Sequence, residues 1–96
     1  LTAIEFIERS ASVLNLEVAE LMSRSRQQHV VEARRLLVSL GRERWGQSTK
    51  ELASALAKSA DTITFIQREG VKQRLDDEEF ARRYENLDKA LIGKRQ

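Results

Sequence analysis

No proline interrupts this chain from Leu1 to Gln96, and four glycines are all that punctuate it. Proline fixes φ and lacks an amide donor, so it ends helices and marks turns; its absence leaves long helices as the main option. Aromatic residues are only 5% of the chain and β-branched residues are few, which removes the usual material of a sheet. The fold class read from the sequence is all-α. Ninety-six residues with 41% apolar content suit a single domain spanning 1–96 that buries a core, without room for a deep catalytic cavity as well. The first residue is Leu1, not Met, and already belongs to an apolar-periodic stretch, so excision from a longer protein is expected.

Helix boundaries follow from capping and spacing. Thr2-x-x-Glu5 is a capping box ahead of Ile4, Ile7, Ala11 and Leu14, and Asn15 interrupts that stripe. A short helix from Leu16 to Met22, with Val18, Leu21 and Met22 as contacts, completes an acidic N-terminal pair over 1–22. Ser25 with Gln28 is a further capping box, and Val30, Ala33, Leu37 and Leu40 mark a long basic helix over 25–46, centred on Arg26 to Arg44. Gly46 is placed to stop it. Gly41, inside it, costs about 1 kcal/mol against alanine and predicts a close helix crossing. After residue 75, Asp76-Asp77-Glu78-Glu79 supplies first-turn carboxylates to a C-terminal helix over 76–92, with Phe80, Tyr84, Leu87 and Leu91 on one face. Fraying is expected after Ile92.

Residues 48–74 read as a helix-turn-helix. Ser48 and Glu51 form a capping box, Leu52, Ala53, Ala55 and Leu56 form a narrow stripe, and Lys58-Ser59-Ala60 makes a turn without glycine. Ser59 or Asp61 caps the second helix, which turns Ile63, Ile66 and Gly70 inward and leaves Thr62, Thr64 and Arg68 outward. Phe65 is expected to pack under the C-terminal helix; contact with a thymine methyl or a protein partner is the other reading.

Charge is segregated. Residues 1–21 hold one basic and four acidic side chains, whereas residues 22–50 hold seven basic and two acidic. A basic band beside a groove-sized helix is the footprint of a phosphate-contacting face, although a solvated surface has the same composition. The chain has no cysteine and one histidine, His29, so zinc sites and Cys-His nucleophile pairs are excluded within it. Glycine-rich phosphate loops, Ser-His-Asp sets and metalloprotease patterns are likewise missing, so no enzyme activity, cofactor or metal is expected. No run is long enough for a membrane span, and a cytoplasmic location is expected. His29 reads as a surface or phosphate-side residue and Trp45 as a helix-end packing residue.

Three stretches carry a family resemblance: Leu21-Met22-Ser23-Arg24-Ser25-Arg26; Val31-Glu32-Ala33-Arg34-Arg35-Leu36-Leu37; and Ser48-x-x-Glu51-Leu52-Ala53-x-x-Leu56-Ala57 with Thr62-Ile63. Together they cover about half of the chain. The stretch resembles the C-terminal DNA-binding domain of the bacterial replication initiator DnaA, and the DnaA-like tail of REP-associated tyrosine transposases. The resemblance implies a helix-turn-helix bundle of about six helices, of the DnaA domain IV or Trp-repressor type. It also implies double-stranded DNA as partner, in replication initiation or transposition. It places Arg26 in the minor groove and Arg34, Arg42 and Lys50 on phosphates. The family's Asp-His-Thr-Thr signature at the turn stands here as Ser59-Ala60-Asp61-Thr62, so only Thr62 is retained. Exchanging a donor for a carboxylate makes a standard DnaA box an unexpected target, while a carboxylate still accepts from cytosine N4.

The leading expectation is therefore DNA binding with altered base specificity. Arg34, Arg42, Lys50 and Lys58 would hold phosphates, Arg26 the minor groove, and Ser59, Asp61, Thr62, Thr64 and Arg68 the base-reading end. The alternative is a degenerate helix-turn-helix acting as a protein-interaction or homodimerisation module, motivated by Phe65, Ile66 and the acidic ends.

Overall fold

The computed structural model describes residues 1–94, and side chains as far as Gly93. Six helices follow in order: α1 (Ala3–Leu14), α2 (Val18–Met22), α3 (Gln28–Arg44), α4 (Thr49–Leu56), α5 (Ala60–Asp76) and α6 (Glu78–Lys94). There is no strand among the described residues, and the all-α bundle of about six helices is the observed architecture. None of these helices is long and apolar enough to cross a membrane.

Local chemistry sets most of the boundaries. Thr2 accepts from Glu5 N while Glu5 reaches back to Thr2 N, a complete capping box. Asn15 closes α1 in the left-handed region at φ 60°, and Leu16 N returns to Ala11 O at 2.9 Å. Ser48 accepts from Glu51 N at 3.1 Å, but the Glu51 carboxylate takes the Ser48 hydroxyl, not its backbone N–H. Ser59, not Asp61, caps α5 by accepting from Thr62 N at 3.1 Å. Asp77 accepts from Phe80 N at 3.1 Å and starts α6. Fraying beyond Ile92 is not seen at Gly93 and Lys94, which continue α6; Arg95 and Gln96 lie outside the described residues.

Two further sequence expectations are corrected. Ser25 does not cap α3: its hydroxyl accepts from Gln27 N, and the helix begins at Gln28. Residues 23–27 are instead an extended loop held by other means. The buried face of α1 is Ala3, Phe6, Ile7, Ser10 and Ala11, so Ile4 points to solvent. The close approach expected at Gly41 is present, since a Cβ there would lie 2.8 Å from Phe6 of α1, and a second one is made at Gly70, where a Cβ would lie 2.8 Å from Arg35 O of α3. At Gly41 the missing side chain makes room for the Phe6 ring.

α3 runs through the centre, touching α1, α2, α5 and α6. Its buried positions, Val30, Ala33, Leu36, Leu37, Val38 and Leu40 among them, take in nearly the whole circumference. One apolar cluster includes residues from every helix. Each fully buried Leu, Ile or Phe in it contributes about 1.5–3 kcal/mol relative to exposure. α6 lies against α1, α3 and the rear of α5 through Phe80, Tyr84, Leu87 and Leu91. That packing leaves the opposite side of α5 uncovered.

Candidate functional site

The site is built around Arg34. This residue lies four positions after Val30 and three before Leu37, on the inward stripe of α3, and is only 8% exposed. Its guanidinium donates to Leu21 O (2.9 Å), Ser25 O (2.7 Å), Ser23 O (2.6 Å) and Glu20 O (3.2 Å). Burial pulls its pKa below the ordinary arginine value, yet an arginine stays charged, and four carbonyl dipoles solvate it. The expected phosphate contact by Arg34 is therefore corrected: its donors face inward, and its role is to pin the chain between Glu20 and Ser25. Lys58 joins the same arrangement, with Nζ 3.0 Å from Ser23 O and 3.4 Å from Met22 O.

With its carbonyls gathered inward, the loop turns Arg24 and Arg26 into solvent. They border an open hollow of about 590 Å³ between the loop, α3 and the start of α5. Five cationic side chains line it, Arg24, Arg26, Arg34, Arg35 and Lys58, and no carboxylate does among the described residues. Val31, Phe65 and Ile66 supply its apolar part, and Thr62 reaches it from α5. The electrostatic consequence is visible at Lys58, whose pKa is lowered first by burial and then by the charges of Arg34 and Arg24. Like charges held together without a counter-charge favour an anion in their midst.

Next to the hollow, α5 shows solvent an uncovered stripe of Asp61, Thr62, Thr64, Phe65 and Arg68. Thr64 donates to Ala60 O at 3.1 Å and retains its acceptor lone pairs, while the Ser59 hydroxyl is engaged as the cap. Phe65 is 58% exposed, which corrects the expected packing beneath α6; Ile66 is the partly buried one of the pair. Its angular position explains this, since at 100° per residue Phe65 falls off the stripe that carries Ile63, Ile66 and Gly70.

Arg42 and Lys50 are not drawn into this arrangement. Arg42 donates to Gln47 O at 3.0 Å near the far end of α3, about 20 Å along the axis from its start. Lys50 is exposed in the first turn of α4 and does not line the hollow. Conversely, the structure adds Arg24 and Arg35 to the residues the sequence singled out, and brings Phe65 to the hollow's edge.

Four acids are paired at the rear. Arg44 binds Glu85 and Asp88, Arg74 binds Glu43, and Arg83 binds Glu32, all between α6 or the end of α5 and the rear of α3. Trp45 adds a 2.8 Å bond from its indole N–H to Asp88 and a 6.0 Å ring contact with Phe6. No group of three His, Cys, Asp or Glu residues that could hold a metal is found among the described residues. No protein-family model matches the chain, and no curated protein matches it.

Proposed function

We propose that this chain binds double-stranded DNA through its helix-turn-helix, in the manner of a DnaA-like or transposase-tail domain with altered base specificity. The observation that carries the reading is the acid-free, five-cation hollow on the flank of a helix whose outer stripe is uncovered. A 17-residue α5 is of a size to enter the major groove by its N-terminal turns, which bear Asp61, Thr62 and Phe65. Arg24 and Arg26, on the loop beside it, then meet the adjoining backbone or minor groove. Phosphate contacts position the protein and the α5 stripe samples base edges. The family likeness of Leu21–Arg26 and of the helix-turn-helix points the same way.

Fluorescence anisotropy of a labelled duplex, titrated at several salt concentrations, tests it. Log K falls linearly with log salt, and Arg26→Ala reduces the slope by about 1. Failure to bind any duplex at roughly 50 mM salt ends the reading. The second reading, a protein-interaction or dimerisation module, is favoured by one observation, the exposure of Phe65. Sedimentation over a concentration series separates the two, because a monomer that shifts only with DNA contradicts the second.

A further inference from the structure

We infer that the α5 face, on the DNA reading just proposed, takes the C5-methyl group of a pyrimidine against the ring of Phe65. Phe65 lies one turn after Asp61 and Thr62 and one turn before Arg68, on the exposed side of α5, and is 58% accessible. Its ring borders the hollow, where Val31 and Ile66 continue the apolar surface and Arg24, Arg26 and Lys58 ring it with positive charge. Charge complementarity selects a polyanion for the rim. Within the major groove of such a polyanion, the apolar feature on the base edges is the C5-methyl of thymine. A peptide partner is the poorer fit, because helix-in-groove recognition uses several apolar anchors at i, i+3, i+4 and i+7, and the two that α5 exposes, Phe65 and Leu75, stand ten residues apart and share no such spacing. Thymine and 5-methylcytosine carry the same methyl at the same ring position, so the recognised chemistry is that methyl, from either source.

The test starts from a pool of duplexes with random cores, selected on the wild-type protein. Retained duplexes are then titrated by anisotropy with single thymines replaced by uracil, and with single cytosines replaced by 5-methylcytosine. Removing the contacted methyl weakens wild-type binding about fourfold, the worth of one buried methyl-sized group. Phe65→Ala binds thymine and uracil forms alike while keeping its salt dependence, and Phe65→Leu keeps part of the preference. Tightening on cytosine methylation, absent in Phe65→Ala, also upholds the contact and assigns its source to 5-methylcytosine. Indifference of the wild type to every replacement, with salt-dependent duplex binding intact, overturns the methyl contact and leaves the DNA reading standing. If no duplex is retained, both fall together.

Discussion

Arg34→Ala deletes a donor to four backbone carbonyls at once; Lys58 still reaches Ser23 O and the Ser23 hydroxyl still reaches Glu20 O, but Leu21 O and Ser25 O lose the guanidinium. Hydrogen bonds from a charged group contribute about 1.5–3 kcal/mol, and an uncompensated buried carbonyl adds its own desolvation cost. The expected loss is about 3 kcal/mol in urea unfolding, far above an ordinary surface arginine. Arg34→Lys recovers little, since a single ammonium cannot span carbonyls that a planar fork reaches together. A phosphate-binding Arg34 would give the reverse pattern, unchanged stability with weaker DNA binding. The burial of this residue was legible in advance, because it occupies the i+4 position of the Val30–Ala33–Leu37 stripe. Its charge type argued for the surface, and the spacing was the better guide. Phe65 is the same lesson inverted: its apolar character argued for the core, and its angle placed it in solvent. What spacing could not give is the set of carbonyls that Arg34 collects, since these come from a loop with no periodicity.

At the scale of elements, the turn between α4 and α5 is closed by Ala57 at φ 55°, a left-handed conformation that L residues other than glycine and asparagine visit at a cost of about 1–2 kcal/mol. The geometry is a helix C-cap, with Lys58 N returning to Ala53 O at 2.9 Å. Ala57→Gly relieves the strain and offsets part of that gain by freeing the unfolded chain, so a net stabilisation of about 0.5–1 kcal/mol is expected in thermal unfolding. No change, or a loss, would mean that the turn is held elsewhere. Gly70→Ala runs the other way. Helix propensity favours alanine by about 1 kcal/mol, but its Cβ meets Arg35 O and the Ser39 side chain where α5 crosses α3. Neither backbone can yield without parting the two helices, and overpacking of this kind costs about 1–3 kcal/mol. A destabilised Gly70→Ala would also tilt α5 relative to the loop, and under the proposed DNA-binding function it weakens binding through geometry and not charge. Helix existence and order were readable from capping pairs and apolar spacing. The start of α3 was not, because Ser25 satisfies a loop amide that competes for the same hydroxyl.

The whole molecule divides its charges between a rear seam, where acids and bases pair, and a loop-and-α5 face, where cations line a hollow that no carboxylate borders among the described residues. The seam makes stability depend on pH in a direction that can be worked out. Glu43 sits below the ordinary glutamate value of 4.5, held first by its bond from Arg74, against the opposing effect of burial, with Tyr84 adding to the lowering. Partial burial works to raise Glu32, but the bonds from Arg83, Gln73 and Gln28 outweigh it and the net shift is also downward. A carboxylate lowered in the folded state stabilises above its unfolded pKa, and that contribution is lost as pH falls through the folded value. Tyr84 is displaced the opposite way, pushed up to about 12 by burial and by its bond to Glu43. A phenol raised in the folded state stabilises fully below its unfolded value of 10.0, and this is lost as pH climbs from there toward about 12. Thermal unfolding should therefore give a plateau between roughly pH 5 and 9, with an acid limb belonging to the carboxylates and an alkaline limb belonging to Tyr84. Glu43→Gln flattens the acid limb. Tyr84→Phe lowers the plateau by about 1 kcal/mol, the worth of one hydrogen bond, and flattens the alkaline limb. An alkaline limb that persists unchanged in Tyr84→Phe excludes the tyrosine as its source, because the arginines that share the seam remain charged throughout that range.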